Sequence, residues 1–202
     1  MKKTVLIAFI AFNVISIKAQ QMTAEKYFAR GMARDGLSSF DLAIEDFNSV
    51  LKITPNDPLA FNYRGLVYYH KQEFDKATAD YDQAIKLDPK LEVAWFNKGT
   101  LNLAKKEYPE AVKNFDKAIS IKPMMGSYSM RGQAFTELKK YDEAIADFNK
   151  AIEMEPTNGY LYSARGTAKY YKNDKTGACE DFDLAVKNGD TYSQQYLDQI
   201  CK

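Results

Sequence analysis

Side chains of opposite charge recur along the chain at matching intervals. In four segments an arginine precedes a glycine and an aspartate follows 16 residues later: Arg30 and Asp46, Arg64 and Asp80, Arg131 and Asp147, Arg165 and Asp181. An evenly spaced arginine row could bind phosphates or carboxylates, but an acid for every arginine favours structural ion pairs, since a packed interface tolerates partnered charges. One further segment carries Lys98 and Asn114 at these positions. Because both members change together, we expect the two positions to touch.

The two cysteines, Cys179 and Cys201, offer the second possible chemistry. If the helices that carry them run antiparallel about a turn at residues 188–190, the two thiols come level with each other. A disulfide would then close a loop whose constraint is worth about 3 kcal/mol. The alternative is two reduced, buried thiols, because the sequence does not fix the distance between the Cα atoms.

Catalytic and metal-binding patterns are not evident. His70 is the single histidine, so no His-rich zinc cluster can form, and no Cys-His nucleophile pair stands out. The acidic residues and lysines follow a regular spacing and do not form a distinct acid/base couple. No glycine-rich phosphate loop follows a predicted strand. We therefore expect no enzyme, with no catalytic, cofactor-binding or metal site.

The elements that position these side chains recur every 33 or 34 residues. The recurring positions are Gly31, Gly65, Gly99, Gly132 and Gly166; Ala43, Ala77, Ala111, Ala144 and Ala178; Phe47, Tyr81, Phe115, Phe148 and Phe182; and Pro55, Pro89, Pro123 and Pro156. Within residues 58–91, apolar residues fall in steps of three and four, which predicts two amphipathic helices. The second of them is expected to end before Pro89. A period of this length indicates stacked copies of one helix hairpin.

This order of aromatic, glycine, alanine, aromatic, alanine and proline resembles the tetratricopeptide repeat. The fullest version contains Trp95, Gly99, Ala111, Phe115 and Pro123. The resemblance implies an all-α solenoid of five helix-turn-helix units, at residues 24–57, 58–91, 92–124, 125–158 and 159–190. Residues 191–202 are predicted to form a C-terminal helix that caps the last unit.

In this family the first helices of successive repeats line a concave groove for extended peptides or partner helices. The resemblance implies a groove here made of Phe28, Met32, Leu59, Asn62, Tyr63, Leu66, Tyr69, Val93, Phe96, Asn97, Thr100, Leu103, Ser129, Met130, Gln133, Ser163, Thr167 and Tyr170. Family members that clamp a chaperone's C-terminal carboxylate use lysine and asparagine at set positions. The first of those positions here holds Phe28, Asn62, Phe96, Ser129 or Ser163, so we expect no such clamp.

Residues 1–19 resemble a secretory signal peptide. Lys2 and Lys3 precede a 13-residue apolar run, whereas a membrane-spanning helix needs about 20 residues, so a retained anchor is the less favoured alternative. Cleavage is expected after Ala19, with residues 20–23 as a short linker and no membrane insertion afterwards. The expected location is periplasmic or secreted.

Charge and composition narrow the expected partners. Removal of residues 1–19 leaves 25 of the 28 basic residues against 27 acidic ones, and both signs alternate along every unit. Nucleic acid and anionic membranes are therefore not expected to bind. The favoured function is a monomeric adaptor for a protein or peptide partner. The alternatives are a self-associating structural protein, which the capping helix disfavours, and a glycan binder that uses Tyr69, Tyr160, Tyr170 and Tyr171.

Overall fold

Residues 22–201 are described by a computed structural model, so the predicted signal peptide lies outside the described residues, as do residues 20, 21 and 202. The described part contains eleven helices and no strand, which confirms the all-α class. The helices are α1 Ala24–Gly36, α2 Phe40–Ile53, α3 Pro58–His70, α4 Phe74–Leu87, α5 Glu92–Ala104, α6 Tyr108–Ile121, α7 Met125–Glu137, α8 Tyr141–Met154, α9 Gly159–Tyr171, α10 Lys175–Lys187 and α11 Ser193–Ile200. Between residues 22 and 201, every helix is too short or too polar to span a membrane.

The first ten helices form five antiparallel hairpins stacked in chain order. Each hairpin packs its two helices on each other, and its second helix then packs on the first helix of the next hairpin. Neighbouring first helices (α1, α3, α5, α7 and α9) also touch, whereas no contact of comparable size links neighbouring second helices. The first helices therefore line the inner side of the curved stack.

The turn inside each hairpin has the same backbone geometry. Three residues join the two helices, and the middle one is left-handed in every case: Ser38, Gln72, Lys106, Lys139 and Asn173, with φ between 56° and 70°. In the second hairpin the Gln72 and Glu73 amides donate to the Tyr69 and Tyr68 carbonyls at 2.9 Å. These bonds satisfy carbonyls at the helix end, so one turn type sets the angle of all five hairpins.

Each hairpin closes where an aromatic ring of the second helix lies against a glycine of the first. A Cβ on Gly99 would lie 2.7 Å from the Phe115 ring, and one on Gly65 would lie 2.9 Å from Tyr81. These five rings and the recurring alanines are buried throughout. The recurring glycine is thus a packing requirement, because any side chain would occupy the space of the ring.

The C-terminal helix is shorter than the predicted 191–202, because α11 begins at Ser193 and ends at Ile200. The turn before it is held by Asp190, whose carboxylate accepts from the Ser193 hydroxyl at 2.7 Å. Helix α11 packs on α10, and its Tyr196 ring stacks on Phe182 with 4.9 Å between centroids. The helix therefore covers apolar surface of the last hairpin, as a capping helix does.

Candidate functional site

The arginine row forms bidentate ion pairs inside the hairpins. Arg64 donates through Nε and Nη2 to the two Asp80 carboxylate oxygens at 2.8 and 2.7 Å. The same fork joins Arg131 to Asp147, Arg165 to Asp181, and Arg30 to Asp46. Each pair links the first helix of a hairpin to its second. Because the guanidinium donors are engaged with these acids, the row does not offer open anion sites.

In three of these four arginines, a third bond from the guanidinium group reaches the preceding hairpin. The Nη1 atom of Arg64 donates to Asn48, that of Arg131 to Asp116 and that of Arg165 to Asn149, each at 2.6 Å. Each arginine thus joins three helices at once. The recurrence of arginine and aspartate in the sequence indicated only the bond within the hairpin. The inter-hairpin partner varies between asparagine and aspartate, but its positions recur every 33 or 34 residues, and this spacing was the signal that could have found it; the positions are Asn48, Asp82, Asp116 and Asn149.

The third hairpin differs from the pairing expected there, because Lys98 and Asn114 do not form a hydrogen bond with each other. Lys98 Nζ contacts Asp82 of the preceding hairpin at 2.5 Å. Asn114 instead donates to the Asn102 side chain at 2.7 Å, and Asn102 donates to Glu107. Lysine is a point charge without the planar fork of arginine, so here it keeps only the inter-hairpin contact.

Cys179 and Cys201 are joined in a disulfide with their Cα atoms 5.7 Å apart. The bond links α10 to the residue that follows α11, and therefore ties the capping helix to the last hairpin. Asp190 and the disulfide hold opposite ends of α11, which is only eight residues long. A helix of this length gains little stability from its own backbone hydrogen bonds and depends on such packing and cross-links.

Removing the disulfide is expected to destabilise the C-terminal end. The loop between the cysteines spans 22 residues, so the paired change Cys179→Ser and Cys201→Ser should lower the free energy of unfolding by about 3 kcal/mol. Urea unfolding with and without a phosphine reductant measures this. Wild-type protein should respond to the reductant, whereas the double variant serves as the matched control and should not. Two titratable thiols in unreduced, denatured protein would contradict the disulfide.

His70 lies at the end of α3, where its Nδ1 atom is 2.8 Å from Asp35 Oδ1 of the preceding hairpin. Its ring also lies 6.0 Å from Phe40 between centroids. Within residues 22–201, no three His, Cys, Asp or Glu side chains are arranged to hold a metal ion. His70 therefore contributes a link between neighbouring hairpins.

Among residues 22–201, pockets on the inner surface of the first helices include an N-terminal, a central and a C-terminal one. The N-terminal pocket has a volume of about 350 Å³ and an apolar floor that includes Phe28, Met32 and Leu59. Two carboxyl groups, of Glu25 and Asp57, also line it. Asp57 caps α3 by accepting from the Leu59 and Ala60 amides. Glu25 lies in the first turn of α1, where hydrogen bonds from Thr23 and from its own backbone lower the pKa of its carboxyl group.

The other two pockets adjoin each other along α7. The central pocket, about 340 Å³, is lined by Tyr69, Thr100, Leu103, Ala104, Lys106, Tyr108, Met130, Gln133 and Glu137. The C-terminal pocket, about 280 Å³, is lined by Gln133, Thr136, Glu137, Phe148, Tyr160, Ser163, Ala164, Thr167 and Tyr171. Gln133 and Glu137 belong to both pockets, so the two form one continuous groove across α5, α7 and α9.

Several residues predicted to line the groove serve in packing. Asn62 was wrongly predicted to contact a ligand, because its side chain is fully buried and accepts a hydrogen bond from Asn97 at 3.0 Å. Ser129 is likewise buried. Tyr63 packs with Phe28 and Phe47, and Phe96 lies against Phe115. Of the remaining predicted residues, Leu66, Val93 and Ser163 are half-buried, and Tyr170 is exposed and contacts Tyr171.

The pockets also include residues that were not among the groove positions predicted on the first helices. Tyr108 and Phe148 come from second helices, and Lys106 comes from a hairpin turn. Glu137 is the last residue of α7, one position beyond the predicted groove register. Tyr160 and Tyr171, considered above only as sugar-stacking residues, both line the C-terminal pocket. A prediction that also considered the ends of the first helices and the turns after them could have included several of these residues.

Comparison with protein families identifies the class of fold. A family model of the tetratricopeptide repeat matches residues 58–91 and 127–158, and a second tetratricopeptide repeat model matches residues 93–123. These matches coincide with the second, third and fourth hairpins. The chain is a tetratricopeptide repeat protein. A search of curated proteins found no match.

Solved structures share the same solenoid. The chain is similar to MamA from Desulfovibrio magneticus RS-1, with a TM-score of 0.74 and 20% identity over 82% of this chain and 94% of that one. It is similar to YrrB, which is described as a tetratricopeptide repeat protein with an unusual peptide-binding site. The TM-score is 0.73 and the identity 16%, over 92% of this chain and 97% of that one. PilF from Pseudomonas aeruginosa matches with a TM-score of 0.76 and 19% identity over 82% and 76%. At these identities the likeness shows the fold alone.

Proposed function

We propose that the protein is a non-enzymatic adaptor that binds a peptide or a segment of a partner protein along the inner surface of its first helices. The observation that carries this proposal is the continuous groove formed by the central and C-terminal pockets, which cross three first helices. Tetratricopeptide repeats are generally a non-enzymatic protein-interaction fold, and YrrB is described with a peptide-binding site. Apolar, aromatic and amide side chains suit an extended segment with apolar anchors.

The proposed adaptor acts outside the cytoplasm as a monomer. Export rests on the basic, apolar and small residues of positions 1–19, and a disulfide is compatible with an oxidising compartment. The proposal of a monomer is based on the two ends of the stack. Helix α11 covers one end, and at the other end Lys26 is exposed at the position where later hairpins have the buried residues Ala60 and Ala94. Amino-terminal sequencing of secreted material and light scattering test these two points.

Site-specific photo-crosslinking tests the groove as the binding surface. A photoreactive residue at Gln133, which lines both adjoining pockets, should capture a partner in cells. The same residue at Glu143, exposed on α8 and outside these pockets, is the matched control and should capture none. The crosslinked positions in the partner should fall within one short segment. Equal capture at both positions, or capture at Glu143 alone, would refute the groove as the site.

A further inference from the structure

The C-terminal pocket has a single charged residue in its lining. Glu137 is exposed there, among tyrosine, phenylalanine, threonine, serine, alanine and glutamine side chains. Within residues 22–201 its carboxylate forms no ion pair with a lysine or arginine. The buried acids of residues 22–201 are each paired with an arginine; they are Asp46, Asp80, Asp147 and Asp181. Glu137 therefore presents an unmatched negative charge to a ligand.

The position of Glu137 strengthens this local field. It is the last residue of α7, and Tyr171 is the last residue of the neighbouring first helix α9. The carboxyl ends of helices carry partial negative charge, which favours a cation nearby. The equivalent residues of the other first helices are Gly36, His70 and Ala104. Among the five first helices, an acid beside a tyrosine at the helix end thus occurs only between α7 and α9.

Aromatic rings complete the environment of a cation site. Tyr171 is 56% exposed, and its ring stacks on Tyr141 and meets Tyr170 edge to face, with centroids 6.1 and 5.9 Å apart. Packing against two neighbouring rings holds Tyr171 in place at the pocket. The negative face of an aromatic ring attracts ammonium and guanidinium groups. The Tyr108 hydroxyl also donates a hydrogen bond to the Glu137 carboxylate, and burial together with this carboxylate raises the pKa of Tyr108, so this neutral partner leaves the negative charge of Glu137 uncompensated.

We propose that the C-terminal pocket takes a lysine or arginine side chain of the bound segment, with its cationic group between the Glu137 carboxylate and the Tyr171 ring. This inference rests on the proposed function. Tyr160 and Tyr171 lie eleven residues apart on α9, which corresponds to about 16 Å along the helix. That length accommodates about five residues of extended peptide, so apolar neighbours of the cation can contact Tyr160. Lys106 lines the central pocket but not the C-terminal one, and its positive charge disfavours a cation in the central pocket. The preference for a cation is therefore confined to the space between α7 and α9.

Peptide selection with matched variants tests the proposal. Random 12-residue peptides displayed on phage are selected on protein purified from expression of the full chain. We expect enrichment of lysine or arginine beside apolar residues. The best peptide and its analogue with norleucine in place of the basic residue are then titrated by calorimetry. Glu137→Gln should weaken the basic peptide about fivefold and leave the norleucine analogue unchanged.

The control variant is Glu143→Gln, which removes an exposed glutamate outside the pockets and should leave both affinities unchanged. The affinity of the basic peptide should also fall with added salt in wild-type protein and much less in Glu137→Gln. Groove-bound peptides without basic residues, or equal affinity for wild-type and Glu137→Gln protein, would overturn the cation site and leave the adaptor function standing. Peptides unaffected by Gln133→Trp, which places a bulky side chain where the two pockets adjoin, would overturn the adaptor function itself.

Discussion

Replacement of Arg131 by methionine is expected to lower the free energy of unfolding at pH 7 by about 3 kcal/mol, because it leaves a buried carboxylate without its cation. The Asp147 side chain is 6% exposed, and Arg131 supplies both of its hydrogen bonds, at 2.7 and 2.6 Å. Within residues 22–201 no other lysine or arginine forms an ion pair with Asp147. Urea unfolding followed by circular dichroism measures the loss.

This loss should depend on pH in a defined direction. Burial already raises the pKa of Asp147, and Arg131 opposes that rise, so removing the arginine raises the pKa further. A carboxyl whose pKa is higher in the folded than in the unfolded state binds more protons when folded, so the free energy of unfolding falls as pH rises through that range. The difference between Arg131→Met and wild-type protein should therefore be largest at pH 7 and shrink towards about pH 4.

Two controls separate the ion pair from other effects of the substitution. The double change Arg131→Met with Asp147→Leu removes both charges and should return to within about 1 kcal/mol of wild-type protein. Lys113→Met breaks an exposed pair with Glu110 on α6 and should cost at most about 0.5 kcal/mol. A double variant as unstable as Arg131→Met would mean that guanidinium packing matters more than charge compensation.

The repeated side chains made the solenoid predictable, because the glycine, alanine and aromatic positions make the same contact in all five hairpins and proline follows the second helix in four of them. Glycine must lie under a ring, alanine must lie between helices, and proline must end the second helix. Five repeats in one phase therefore carry information that no single repeat has. The end of the chain lacks this repetition, and there the predicted helix at 191–202 was too long, since only Asp190 marks where α11 can begin.

The groove was less predictable, because register on a helix does not distinguish a side chain that faces a ligand from one that faces the next helix. Asn62 and Tyr69 lie seven residues apart on the same helix, yet Asn62 is fully buried and Tyr69 lines a pocket. Asn62 accepts a hydrogen bond from Asn97 of the next first helix, whereas Tyr69 lies near the end of its helix beside the central pocket. Glu137 was missed for a related reason, since it lies at a helix end where side chains from turns and second helices also reach the pocket.

Replacement of Phe115 by alanine is expected to lower the free energy of unfolding by about 4 kcal/mol, because the ring is fully buried at the centre of the stack. Its contacts include Ala111 of its own helix and Ala134 of the next hairpin, so the cavity affects two hairpins. Phe96 and Met130 also pack against this cluster, so the substitution removes their contacts with the ring as well as leaving a cavity. Urea unfolding of the single variant measures this loss.

Gly99→Ala provides the sharper test, because it should destabilise the protein when the Phe115 ring is present and stabilise it when the ring is absent. In wild-type protein the new methyl group would lie 2.7 Å from Phe115, and the resulting overpacking should cost about 1 to 3 kcal/mol. In the Phe115→Ala background that space is empty, so the higher helix propensity of alanine should stabilise the protein by up to about 1 kcal/mol. Gly36→Ala, whose methyl group would meet no atom within 4 Å, should have the same small effect in both backgrounds. Additive effects of Gly99→Ala and Phe115→Ala, within about 0.5 kcal/mol, would show that the glycine is not retained to seat the ring.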